Sequence, residues 1–124
     1  MNLVTRSLLD RIADPALAEF ALAWDELEEL IVQTYRRGDC PPEDARRLTD
    51  LRRSLQRQIE PLEHALEPHW RPTRIDGEPV GSSPFREILA VDPPEAFIGN
   101  WHVLRLLPAA REALNHLLLE SAGG

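Results

Sequence analysis

The chain has 124 residues, 43% hydrophobic and 28% charged, which is the composition of one folded domain and not of a disordered acidic tail. Its formal net charge of -7 disfavours nucleic-acid binding, because association with a phosphate backbone is driven by cationic side chains that displace counterions. All 14 basic residues are arginine, and the absence of lysine excludes Schiff-base chemistry and a P-loop lysine.

The first stretch, MNLVTRSLLDRIADP, places Val4, Leu8 and Ile12 at four-residue spacing, a short helical face. Arg6, Asp10 and Arg11 interrupt it where a leader peptide has an uncharged core. No apolar run in the chain approaches the roughly 18 residues that a bilayer requires. A cytoplasmic location and no membrane partner are therefore expected, and the single cysteine, Cys40, fits a reducing compartment.

Asp14-Pro15 is a helix start signal, and Leu17, Phe20, Trp24, Leu27, Ile31 and Tyr35 then mark one stripe of a helix that Arg36, Arg37 and Gly38 close. Asp39 or Cys40 can cap the next helix, whose stripe is Leu48, Leu51, Leu55, Ile59, Leu62 and Leu66. Folding the two antiparallel sets Phe20 against Ile59, Trp24 against Leu55, Leu27 against Leu51 or Arg52, and Ile31 against Leu48. The same fold brings Asp25, Glu26, Glu28 and Glu29 beside Arg46, Arg47, Arg52, Arg53 and Arg57. Ion pairs at the rim of the seam therefore account for an arginine run that could otherwise read as a phosphate-binding strip.

Pro61 predicts a kink or break, and periodicity ends near Trp70. Asp76-Gly77 signals a tight turn, with TRI and EPV as arms of a very short hairpin. Ser83-Pro84 starts a short helix through Phe85, Ile88 and Leu89, and Asp92 to Glu95 reads as a further capping signature. The last segment presents Phe97, Trp101, Leu104, Leu107, Leu114, Leu117 and Leu118. Pro108 divides it, Gly99 within it marks close packing, and residues 121–124 are expected to fray. The expected architecture is all-α: an antiparallel bundle of about four main helices in a single domain over residues 1–124, with a long irregular crossover at residues 68–84 before the C-terminal helical segment.

Two clusters combine aromatic and polar residues and are candidates for binding. His69, Trp70 and Arg71 with Arg74 lie in the aperiodic crossover, where Trp and Arg can anchor a partner or, for the arginines, pair with surface carboxylates. Asn100, Trp101 and His102 form the second, and core packing is the competing role for Trp101 on its stripe. Glu60, His64 and Glu67 share a helical face and could ligate a metal, but no Glu-x-x-His or His-Glu-x-x-His pair accompanies them, and a solvated face is the simpler reading. Cys40 has no histidine near it in sequence, and no Gly-x-Ser-x-Gly elbow exists.

Arg57 and His64 are separated by six residues, Arg111 and His116 by four. In these residues alone the chain resembles small helical RNases of the HEPN type, whose motif is an arginine followed on a helix by a histidine after about four to six residues. Gln58 and Glu112 stand where that family commonly has Asn, Asp or His. The resemblance implies metal-independent RNA cleavage. The residues themselves favour a small cytoplasmic interaction or regulatory module with no cofactor and a protein partner. A second copy is the expected partner, because the final segment carries apolar residues on more than one face.

Overall fold

The computed structural model describes residues 2–72, 74–75, 77–79 and 81–123. Asn2 caps α1 (Leu3–Leu8) by accepting a hydrogen bond from Val4 N, and a 3-10 turn, Leu9–Arg11, follows. Asp14 starts α2 (Pro15–Arg37) through Ala16 N, and Gly38, at φ 73°, ends it in the left-handed conformation that a glycine adopts without strain. The next helix, α3 (Pro42–Trp70), begins after Pro41 with no side-chain cap, so neither Asp39 nor Cys40 fills that role. Glu43 and Asp44 lie in its first turn instead, and Arg37 bridges the two helices by donating to Asp44 at 2.7 Å.

α3 runs unbroken through Pro61 and Pro68, and α5 (Trp101–Gly123) runs unbroken through Pro108. All three prolines sit on exposed positions. Each removes one backbone donor, but it does so on the solvent side, where water satisfies the freed carbonyl. The crossover is accordingly shorter than periodicity suggests: it starts after Trp70 and ends where Ser83 caps α4 (Pro84–Leu89) by accepting from Arg86 N. Within it β1 (Arg74–Ile75) pairs antiparallel with β2 (Glu78–Pro79), the hairpin that the two arms predict. Gly77 takes φ 83° there, whereas Thr73, Asp76 and Val80 fall outside the described residues. A 3-10 turn, Pro94–Phe97, follows a cis Asp92-Pro93 peptide and leads into α5, which stays helical through Ser121, Ala122 and Gly123 where fraying was expected.

The fold is the expected all-α bundle, built on three long helices and two short ones. The residues matched across the α2–α3 hairpin, Phe20, Trp24, Leu27, Ile31, Leu48, Leu51, Leu55 and Ile59, are all buried, and the two helices pack together. α4 returns Phe85 into this seam. Its ring stands edge-on to Trp24 at 4.9 Å between centroids and tilts against Phe20 and Trp70 at 6.0 Å each.

α5 contacts α1, α2, α3 and α4. Its several apolar faces are therefore covered inside one chain: Leu106 and Leu117 are buried, and only Leu119 of that group is exposed. The excess of apolar residues thus gives no reason to require a second copy. No helix among the described residues is long and apolar enough to cross a membrane.

One polar network lies within this packing. Arg111 of α5 donates through Nη2 to Asp25 Oδ1 (2.5 Å) and Glu28 Oε2 (2.8 Å) of α2, and through Nε to Glu28 at 3.2 Å. Asp25 also accepts from Asn2 N at 3.0 Å and from Thr5 Oγ1 at 3.3 Å, which ties in α1. Burial acts to lower the affinity of the guanidinium for its proton. The hydrogen bonds and charges of Glu28 and Asp25 outweigh that burial, so its pKa is raised. The acidic run of α2 is therefore divided: Asp25 and Glu28 serve α5, and Glu26 alone pairs with an α3 arginine, Arg47. That pair is exposed, and the Arg47 hydrogen bond holds the Glu26 carboxyl below its ordinary range.

Arg111→Ala leaves two largely buried carboxylates without their cation. It is expected to lower the unfolding free energy by about 3 kcal/mol in urea denaturation, whereas Arg47→Ala at the exposed pair changes it by less than about 1 kcal/mol.

Candidate functional site

The three tryptophans divide sharply. Trp24 is 0% exposed and Trp70 4%, but Trp101 is 60% exposed. The loop-anchor role expected of Trp70 is thereby overturned, and so is the core packing that competed for Trp101. Trp70 is the last residue of α3 and not a loop anchor, and it packs against Phe85 in the core. Trp101 lies off the buried stripe, which runs through Val103, Leu106, Leu107, Ala110, Leu114, Leu117 and Leu118. The four-residue step from Phe97 to Trp101 is not a helical step. Phe97 belongs to the preceding 3-10 turn, and the chain reverses at Gly99 (φ 65°) before α5 begins.

Gly99 is consequently not a mid-helix packing glycine, since a Cβ built there meets nothing within 4 Å. Asn100 completes the start of α5: its Oδ1 accepts from Val103 N at 3.1 Å and its Nδ2 donates to Ala96 O at 3.1 Å. It is a cap and not a ligand-facing group. Ile98, at this turn, is a second exposed large apolar residue, three positions before Trp101 in the chain. Sequence reasoning missed Ile98, because its only signal was a large aliphatic beside a turn glycine.

His102 lies in the next position and faces the crossover. Ile75, Glu78, Gly81 and Ser82 cover the first turns of α5, leaving a cleft of about 180 Å³ that His102, Arg105 and Leu106 complete. His102 Nε2 is 3.6 Å from Glu87 Oε1.

The other cluster separates. Arg71, at the end of α3, donates to Glu67 Oε1 through Nη2 (2.6 Å) and Nε (2.9 Å), and Arg74 donates to Gly77 O across the hairpin at 2.9 Å. Glu67 is thus engaged, while Glu60 and His64 are exposed. Among the described residues no group of three histidine, cysteine or acidic side chains is placed to hold a metal ion, Glu60, His64 and Glu67 included.

His69 has a partner that the sequence did not suggest. Its ring stacks on His116 of α5, with centroids 5.6 Å apart and planes 9° apart. His69 Nε2 lies 3.2 Å from Glu120 Oε2, and His116 Nε2 lies 3.8 Å from Glu112 Oε1. These two histidines line a cleft of about 460 Å³ with Arg74, Glu112, Pro68 and Pro72.

Of the two Arg–His pairs, Arg111 is held by Asp25 and Glu28, whereas Arg57 and His64 are both exposed on α3. Burial first, then the carboxylates of Glu95, Asp44 and Asp39 against the opposing Arg37, push the Cys40 thiol up, which makes it a poor nucleophile. Comparison with protein-family models, curated proteins and solved structures finds no significant match.

The tryptophan assignment has a direct thermodynamic check. Trp70→Ala is expected to cost about 3 to 5 kcal/mol in chemical denaturation, and Trp101→Ala no more than about 0.5 kcal/mol.

Proposed function

We propose that the chain is a small cytoplasmic protein-interaction module whose contact surface is centred on Trp101 and Ile98. The observation that carries this reading is the 60% exposure of Trp101, in a chain that buries its other two tryptophans almost completely. A large aromatic left in water forgoes on the order of 2 kcal/mol of burial. A partner would recover that burial, and Trp is among the residue types most often found at the energetic centre of interfaces. The display is rigid, because Asn100 caps the helix that carries the indole and buried Phe97 anchors the preceding turn. Little ordering cost then falls on binding.

A second copy can supply the opposing surface through a two-fold contact, and another protein can do so equally. Light scattering at micromolar concentration and affinity capture from source-cell extract, each with wild type and Trp101→Ala, test the reading. The expected result is a doubled mass, or a captured protein, that Trp101→Ala loses while its thermal midpoint stays the same. Equal mass and equal capture for both proteins would sink it.

Metal-independent RNA cleavage is a second reading, favoured by the stacked His69 and His116 beside Arg74. Two imidazoles near carboxylates can take and give a proton, and a guanidinium can neutralise a phosphate oxygen. For this reading, single-stranded RNA without added metal is expected to be cleaved by wild type and at least about 100-fold more slowly by His69→Ala and by His116→Ala. No cleavage by wild type removes it.

A further inference from the structure

The arginine run of α3 is mostly not used in the seam. Arg47 pairs with Glu26, while Arg52 turns the other way, donating to Leu89 O at 3.0 Å and approaching Asp92 at 3.5 Å. Arg46, Arg53 and Arg57 are exposed and make no ion pair among the described residues. Carboxylates are not scarce, since 21 acidic residues face 14 arginines. These three guanidiniums are unpaired because of where they stand.

They stand together. Separations of seven and four residues put them on one outer face of α3, over about 16 Å of helix. Arg46 and Arg53 line a cleft of about 340 Å³ with Ala45, Thr49, Asp50 and Pro94. Pro94 opens the 3-10 turn that leads to Ile98, a rise of only about 8 Å along such a turn. One short stretch of chain, Pro94 to Trp101, thus links the basic cleft to the exposed Ile98 and Trp101.

We propose that this strip docks an acidic segment of a protein partner, with carboxylates on Arg46, Arg53 and Arg57. The proposal rests on the interaction reading and adds the chemistry of the partner. Guanidinium and carboxylate match in a bidentate geometry, and each unpaired arginine keeps its donors available for it. A peptide fits better than a nucleic acid because Asp50 shares the cleft with Arg46 and Arg53, and Glu60 is exposed one turn beyond Arg57. A phosphate backbone would set charges against both carboxylates at a spacing it cannot vary, and a protein of net charge -7 repels the rest of its length. A peptide can place a neutral or basic side chain opposite Asp50.

Fluorescence anisotropy at low salt with labelled oligouridylate and with a labelled oligoglutamate interrupted by glycines, so that a neutral residue can face Asp50, tests this. Wild type is expected to bind oligoglutamate, more weakly as salt rises, and the Arg46→Glu/Arg53→Glu double variant about tenfold more weakly or worse. Both positions are exposed, and an unchanged circular dichroism spectrum checks the fold; Arg46→Gln/Arg53→Gln replaces the pair if the spectrum changes. Absent binding, equal binding by variant and wild type, or tighter binding of oligouridylate overturns the proposal. Oligoglutamate has no apolar anchor, so Trp101→Ala should leave its binding intact. If charge reversal abolishes oligoglutamate binding while Trp101→Ala loses no partner, the strip stands and the Trp101 reading fails.

Discussion

A guanidinium carried into the middle of a bundle has to be neutralised where it lies, and Arg111 imposes that requirement on the three helices around it. α5 packs against α1, α2, α3 and α4, so a cation on its inner side has little access to water: the Arg111 side chain is 12% exposed. Asp25 and Glu28, one turn apart on α2, supply the charge, and Asp25 also takes the backbone of Asn2 and the hydroxyl of Thr5. This network sets the register of α5 on α2 and the position of α1 on both. Its net contribution to stability is small beside the cost of breaking it, because removing three charges from water costs about as much as their attraction returns. An α5 slid by one turn would strand all three.

The apolar side of the same arrangement depends on Phe85. α2 and α3 close on each other along a stripe, and Phe85, delivered by α4 after the crossover, packs its ring against both Trp24 and Trp70. This accounts for a brief segment between α3 and α4. Trp70 terminates one helix inside the core, Ser83 starts the next, and the two-residue strands between them only turn the chain. The crossover is thus architectural at its ends, and its middle forms one wall of the small cleft at His102 and Arg105.

Residues whose environment is set by local periodicity were legible in the sequence. The α2–α3 hairpin, the burial of its two apolar stripes, the Asp14 and Ser83 caps and the Gly38 terminus all follow from spacing and capping chemistry alone. Residues whose environment is set by tertiary exposure were not. Pro61, Pro68 and Pro108 do not break their helices because each faces water, and the sequence does not say which way a proline faces. Trp101 looked like a core residue because a spacing of four was counted across a left-handed glycine, where a helical count has no meaning. His69 and His116 lie nearly fifty positions apart, and only the packing of α3 on α5 makes them neighbours.

The charges show how an acidic chain can still present a basic surface. α2 turns two of its carboxylates to Arg111 and one to Arg47, and among the described residues none of its acids pairs with Arg46, Arg53 or Arg57. α3 therefore has three sides with different fates: an apolar side in the seam, a rim where Arg47 and Arg52 are satisfied, and an outer side where Arg46, Arg53 and Arg57 are not. Net charge, a property of the whole chain, conceals this separation, because a partner responds to the few charges within a Debye length of its own, about 8 Å in physiological salt. The argument from composition against polyanions applies to extended ones that must cross the acidic remainder. It does not hold for a short acidic segment that meets α3 alone.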